Sequence, residues 1–227
     1  MLQLGGMVPL TSIDFPGHLA AVLFCQGCPW HCSYCHNPHL LRTDVPSTLE
    51  WAEVMRFLRE RVGFLDGVVF SGGEPLLQPR LPEAMQVVKA LGFKIALHTA
   101  GIMPARLAKV LPYVDWVGLD IKAPFHAYKK VTGLAGSGFK AEESLDLLLN
   151  AHHVDYEIRT TVDVALVRKS ELEILAETLA KRGVKHFVLQ SCQPLTATIP
   201  IQTTYLWEDT RLLEKLTGLF PVFEVRI

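Results

Sequence analysis

Short apolar runs and amphipathic stretches alternate along the chain from residue 20 onward. Residues 20–25 (AAVLFC) make an apolar run with the length of a buried strand. Residues 49–62 place Leu49, Ala52, Val54, Met55 and Leu58 on an approximate helical stripe. Ser47 or Thr48 is the expected cap, and Glu50 and Glu53 suit the positive end of that helix. The alternation continues with strands expected at 67–70, 94–98, 115–121, 156–164, 186–190 and 222–225. Helices are expected between them at 81–91, 104–111, 140–152, 170–182 and 208–216, with Pro104 opening the second of these and Gly183 stopping the fourth.

Serial β-α units imply a parallel sheet packed against helices. A closed eight-unit barrel, a partial barrel and a doubly wound open sheet all satisfy that pattern. A complete barrel takes about 250 residues, and this chain has 227. The expected fold is therefore α/β, a partial (β/α)6 TIM-type barrel with parallel strands, preceded by an N-terminal segment. No internal repeat, linker or low-complexity tract divides it, so a single domain over 1–227 is the simplest organisation. The polar motifs follow the strands, where parallel α/β folds bind ligands: the cysteine loop, Ser71-Gly72-Gly73-Glu74-Pro75, His98-Thr99, Asp120-Ile121-Lys122 and Gln190 to Gln193.

Composition narrows the function. The chain is 49% hydrophobic and 20% charged with a formal net charge of −1, which gives no reason to expect nucleic acid or a membrane as partner. No apolar stretch approaches the roughly 20 residues of a bilayer span, and no secretory signal is visible. The expected location is the cytoplasm, where thiols stay reduced. Four of the five cysteines crowd between Cys25 and Cys35, a pattern of a metal site rather than of disulfides.

Cys28-x3-Cys32-x2-Cys35 offers three thiolates to a [4Fe-4S] cluster and leaves one iron open to another ligand, unlike electron-transfer clusters with four cysteines. With Cys25, a zinc site or a fully ligated cluster is the alternative; Cys25 also reads as a small buried apolar residue at a strand end. The loop, with Tyr34 just before its last cysteine, resembles the signature of the radical SAM superfamily. Cys35-His36-Asn37-Pro38 is similar to the glycyl-radical-enzyme activases. Residues 6–17 (GMVPLTSIDFPG) resemble the start of anaerobic ribonucleoside-triphosphate reductase activating proteins.

That resemblance implies S-adenosylmethionine as second cofactor and assigns positions. Gly72, Gly73 and Glu74 match the G-G-E segment that holds its amino group; taken alone they read as a strand-to-helix turn. Asp120 and Lys122, on one side of a strand end, match a D-x-K segment near the methionine carboxylate, with surface ion pairing as the bland reading. Arg159 would approach the carboxylate or ribose, or pair with an acidic neighbour. His36 would line the adenine or sulfonium side, and His98 stands where some activases have an aspartate. Gln190, Ser191, Cys192 and Gln193 lie where related activases carry different residues near the adenosine, Cys192 reading as a buried bystander rather than a substrate-facing thiol. Trp30, Tyr34 and Phe24 either stack on the purine or pack the loop.

The implied chemistry is reductive cleavage of S-adenosylmethionine to a 5′-deoxyadenosyl radical, with flavodoxin or a similar one-electron donor. The implied target is a glycine Cα of a glycyl-radical enzyme, best matched by anaerobic ribonucleotide reductase. Two alternatives remain: a radical SAM enzyme for a small molecule such as a purine or deazapurine precursor, and a non-catalytic metal-binding module.

Overall fold

The computed structural model describes residues 2–163, 165–192 and 204–227. Val164 and Gln193, which the sequence placed in a strand and near the site, lie outside the described residues. One sheet carries eight strands in chain order. β1 (Leu4–Thr11) pairs antiparallel with β2 (Ala20–Cys25). From β2 the ladder is parallel throughout, through β3 (Gly67–Gly72), β4 (Lys94–Thr99), β5 (Trp116–Asp120), β6 (Asp155–Val162), β7 (His186–Ser191) and β8 (Val222–Arg226). The crossovers carry the helices α1 (Trp51–Arg59), α2 (Leu81–Ala90), α3 (Pro104–Val110), α4 (Lys129–Thr132), α5 (Ser137–Leu149), α6 (Lys169–Lys181), α7 (Thr204–Trp207) and α8 (Thr210–Leu219). β1 and β8 are the two edges, so the barrel is partial and open, as the unit count and the chain length predict.

β1 is the strand that the pattern of apolar positions did not reveal. Its sequence, LGGMVPLT, holds two glycines and a proline, residues that weaken strands. An edge position tolerates them, because Pro9 is spared a ladder hydrogen bond on the open side. The start of α1 also differs from expectation. Ser47 and Thr48 do not cap it, because both are engaged with β1: Leu4 N–H donates to Ser47 Oγ at 3.1 Å, and Thr48 N–H donates to Leu4 O at 2.9 Å. Glu50 is the cap residue, and its N–H donates back to Glu53 Oε2 at 3.3 Å. The helix ends at Arg59, short of the expected Val62.

Period-two alternation sorts the strand residues onto two faces with different chemistry. Ala21, Leu23 and Cys25, Val68 and Phe70, Ile95 and Leu97, Val117 and Leu119, and Phe187 and Leu189 join the helices in the main core. The inner face is small and apolar on the first strands, where Ala20, Val22, Val69 and Ala96 pack with Phe15 and Trp116. On β6 and β8 the corresponding face carries charge, with Glu157 and Arg159 on one and Glu224 and Arg226 on the other. At about 25 cal/mol per Å² of apolar area, the main core supplies the stability, and it leaves the polar half of the interior free for chemistry.

Candidate active site

The cysteine loop leaves β2 under restraint at both ends. Gln26 N–H donates to Gln3 O at 2.9 Å, and its buried side-chain amide donates to Arg42 O at 2.8 Å. Gln78 Nε2 donates to Gln26 O at 2.7 Å. Further along, Cys28 N–H donates to Leu41 O at 3.1 Å and His31 N–H to Thr132 O at 3.2 Å. Trp30 packs edge-on to Tyr128 with ring centroids 5.8 Å apart; both rings are buried. Neither Trp30 nor Phe24 is free of the packing around it. Cys35 N–H closes a turn onto Cys32 O at 3.1 Å.

This loop brings Cys28, Cys32 and Cys35 to the wall of one cavity of about 190 Å³ at the C-terminal ends of the strands. All are free, half-buried thiols. Burial raises the Cys28 thiol to about 12, against a hydrogen bond from the Trp30 backbone and the pull of Lys122. Burial raises Cys32 as well, with Lys122 opposing it. Such thiols release their protons when a metal replaces them. Cys25 sits on the other face of β2, fully buried, outside that wall; burial and Glu74 push its thiol up. Cys192 is likewise buried and does not line the cavity.

Gly72 and Gly73 form the opposite wall. A Cβ on Gly72, whose φ is +113°, would lie 2.4 Å from Cys25 N, and one on Gly73 would lie 2.4 Å from Gly27 O. Only glycines let β3 run this close to the cysteine loop. The contact is sealed by Gly73 N–H to Cys25 O and Glu74 N–H to Gly27 O, both 2.9 Å. Glu74 itself turns away from the cavity. Its buried carboxylate accepts from Thr99 Oγ1 at 2.6 Å, Leu76 N–H at 3.0 Å and Ala100 N–H at 3.0 Å. Burial raises its pKa despite these donors.

The remaining wall carries charge. Asp120 Oδ1 accepts from Arg159 Nε at 2.9 Å, and its Oδ2 lies 3.4 Å from Lys122 Nζ. Burial raises the Asp120 carboxyl, but Arg159 and Lys122 outweigh it and hold it below the usual range. Burial opposes the charge on Lys122, yet Tyr34, Asp120 and Cys32 keep its pKa well above the ordinary value. The guanidinium of Arg159 fits because residue 118 is glycine: a Cβ there would lie 2.8 Å from Arg159 Cζ. His98 donates through Nε2 to Asp14 O at 2.8 Å, and burial, then Arg159, depress its pKa to about 3. The ring is therefore neutral, and Nδ1 is its acceptor.

A second cavity of about 410 Å³ shares His36, His98, Asp120, Arg159 and Thr161 with the first and extends over β7 and β8 to Gln190, Ser191 and Arg226. Of the residues singled out from sequence, His36, Tyr34, Gly72, Gly73, His98, Asp120, Lys122 and Arg159 meet the cysteines in the inner cavity. Gln190 is reached only through the outer one, and Glu74 lies behind the wall. The sequence reading missed Glu157 and Arg226. Glu157 is 1% exposed and accepts both guanidinium nitrogens of Arg226, at 2.7 and 2.8 Å. Its signal was present, since Glu157 shares the face of Arg159 at period two. A further cavity of about 670 Å³ lies at the opposite end, where β6 and β7 begin, and holds none of these groups.

The donor set fits an iron–sulfur cluster. Among the described residues no three His, Cys, Asp or Glu side chains converge as on a single ion. A cubane asks for no such convergence, because each thiolate binds a different iron. The Tyr34 hydroxyl, buried on the same wall, has no hydrogen-bond partner among the described residues, which suits a cavity built for a further ligand.

Comparisons with known proteins agree. A protein of Methanocaldococcus jannaschii named as a candidate glycyl-radical enzyme activating enzyme (MJ1227) is 29% identical over 202 residues, 85% of this chain and 80% of its own length. The pyruvate formate-lyase-activating enzyme of Clostridium pasteurianum is 36% identical over 152 residues, 63% of either chain. The crystal structure of QueE from Escherichia coli shares the fold at a TM-score of 0.58, with 16% identity, over 99% of this chain and 92% of that one. The radical SAM superfamily signature matches residues 22–169. With three thiols, a glycine wall and a charged wall meeting at the strand ends, the chain belongs to the radical SAM superfamily.

Proposed function

We propose that this chain is the activating enzyme of a glycyl-radical enzyme, acting as one domain in the cytoplasm. The observation that carries this is the similarity to a protein named for glycyl-radical enzyme activation over 85% of the chain. In this reading Cys28, Cys32 and Cys35 hold a [4Fe-4S] cluster, and S-adenosylmethionine occupies the inner cavity. Bound there, the pair would supply one-electron cleavage of the sulfonium, with the electron from an external donor, and so the means to take hydrogen from a glycine Cα.

The protein's own part is geometric and electrostatic. Gly72 and Gly73 leave backbone open to the cofactor's amino group, and Glu74 fixes their position from behind. Lys122 and Arg159 receive the methionine carboxylate, with Asp120 holding both cations in place. Neutral His98 offers an acceptor without adding charge. Trp30 and Tyr34 close the loop over the cavity and exclude water. The outer cavity, continuous with the inner one, admits the glycine-bearing segment past Gln190 and Ser191. Anaerobic ribonucleotide reductase is the named target, on the resemblance of residues 6–17 and 35–38; an external one-electron donor such as flavodoxin is implied because the chain has too few cysteines for a second cluster.

One observation favours a second reading, a small-molecule substrate: the inner face carries Glu157, Arg159, Glu224 and Arg226. These charges are already matched with one another, Glu157 with Arg226 and Arg159 with Asp120, which favours the activase. Partner reductase deuterated at its glycine Cα distinguishes the two. Deuterium in 5′-deoxyadenosine and a glycyl doublet in electron paramagnetic resonance are expected. Turnover without either signal would move the small-molecule reading ahead.

A further inference from the structure

Lys122, Asp120 and Arg159 form a linear charge triad in which two cations share one carboxylate. The nearest second carboxylate on the Arg159 side is Glu157, 3.9 Å from Arg159 Nη1, and it is engaged by both guanidinium nitrogens of Arg226. Neutral His98 adds no charge. Arg226 is also bound by Glu224, so the three cations and three carboxylates of this chain of charges balance, and its Lys122 end faces the cysteine loop. Lys122 Nζ stands 5.7 Å from the centroid of the Tyr34 ring, between Cys32 and Cys35 in the chain, and Lys122 lines the same cavity as the three thiols. Its side chain is nine-tenths buried, so solvent screens it little. Asp120 opposes the effect of Lys122 on Cys32 but is the weaker of the two. At Cys28, Glu74 outweighs Lys122 from behind the glycine wall, so the lysine acts chiefly at Cys32.

We propose that Lys122 sets the reduction potential of the cluster on Cys28, Cys32 and Cys35. Reduction adds one negative charge to the cluster, and a fixed cation beside it stabilises that state and raises the midpoint potential. Asp120, 3.4 Å from Lys122 Nζ, works against this as an anion. The inference rests on the cluster common to the superfamily and is independent of the glycyl-radical target.

The test is a redox titration of the reconstituted full chain without S-adenosylmethionine, followed by electron paramagnetic resonance, after iron and sulfide per chain have been matched. At a fixed potential, Lys122→Met should lower the ratio of reduced to oxidised cluster about tenfold, the equivalent of ~59 mV for a one-electron couple. Asp120→Asn should raise the ratio. Shifts of opposite sign are the signature of charge, since structural damage has no reason to follow the sign of the group removed. If Lys122→Met fails to load iron, Arg159→Met takes its place, with a smaller lowering expected. No shift, or shifts of the same sign in the lysine (or arginine) and aspartate variants, overturns the proposal. A wild type that loads no cluster overturns it together with the cofactor reading beneath it.

Discussion

Glu74 and Thr99 are joined by a 2.6 Å hydrogen bond from the threonine hydroxyl to a buried carboxylate, which ties the end of β3 to the end of β4 behind the glycine wall. The same carboxylate holds the Leu76 and Ala100 N–H groups. Thr99→Val removes one donor from a buried charge and should destabilise the fold by about 1–3 kcal/mol. Glu74→Ala leaves three donors without an acceptor and should cost more. Urea unfolding of both variants checks the order, and weakened binding of S-adenosylmethionine should follow it.

Ala at Cys28, Cys32 or Cys35 should abolish stable cluster loading, because each thiol faces the cavity. Cys25→Ala should load normally, since that thiol is buried on the helix side of β2. Iron and sulfide analysis after anaerobic reconstitution separates these outcomes. Loss of loading in Cys25→Ala with an intact fold would restore the four-cysteine alternative.

Gly118 is the space into which the Arg159 guanidinium fits. Gly118→Ala brings a Cβ to within 2.8 Å of Cζ and Nη1 and should displace the head group from Asp120. Loss of a charge-assisted contact of ~1.4 kcal/mol corresponds to about tenfold weaker binding of S-adenosylmethionine. Calorimetry on the loaded protein should show this loss with unchanged iron content.

The half-buried, neutral ring of His98 makes stability depend on pH. Its folded pKa, about 3, lies below the ordinary 6.5. Between those values the unfolded chain binds a proton that the folded chain refuses, so stability falls as pH falls through this window. The slope from this group is at most about 1.4 kcal/mol per pH unit. His98→Asn should remove that slope, and parallel urea titrations of wild type and variant between about pH 7 and 5 would read the difference. Equal slopes would mean that the ring is protonated in the fold.

The parallel ladder and the convergence of the polar loops at its strand ends were legible because they rest on local regularities. Apolar runs such as Val68 to Phe70 specify buried strands, and the three cysteines lie within one loop. β1 was not legible: LGGMVPLT is a poor strand by propensity, and it forms because β2 offers a partner and the edge position spares Pro9. Ser47 looks like a helix cap, but tertiary pairing with Leu4 claims it. Glu74 belongs to the G-G-E motif read from sequence, yet only the fold shows its carboxylate turned toward Thr99 rather than into the cavity. Glu157 and Arg226 are 69 positions apart, so their pairing depends on the β6–β7–β8 order, which local sequence does not encode.

The central claim is that these residues assemble a site for reductive cleavage of S-adenosylmethionine. Its most direct test is chromatography of 5′-deoxyadenosine after the anaerobically reconstituted, reduced chain is mixed with S-adenosylmethionine. The account predicts 5′-deoxyadenosine from the wild type and none from Cys32→Ala. A fully loaded and reducible cluster that yields no 5′-deoxyadenosine, even with a glycyl-radical enzyme present, would contradict it.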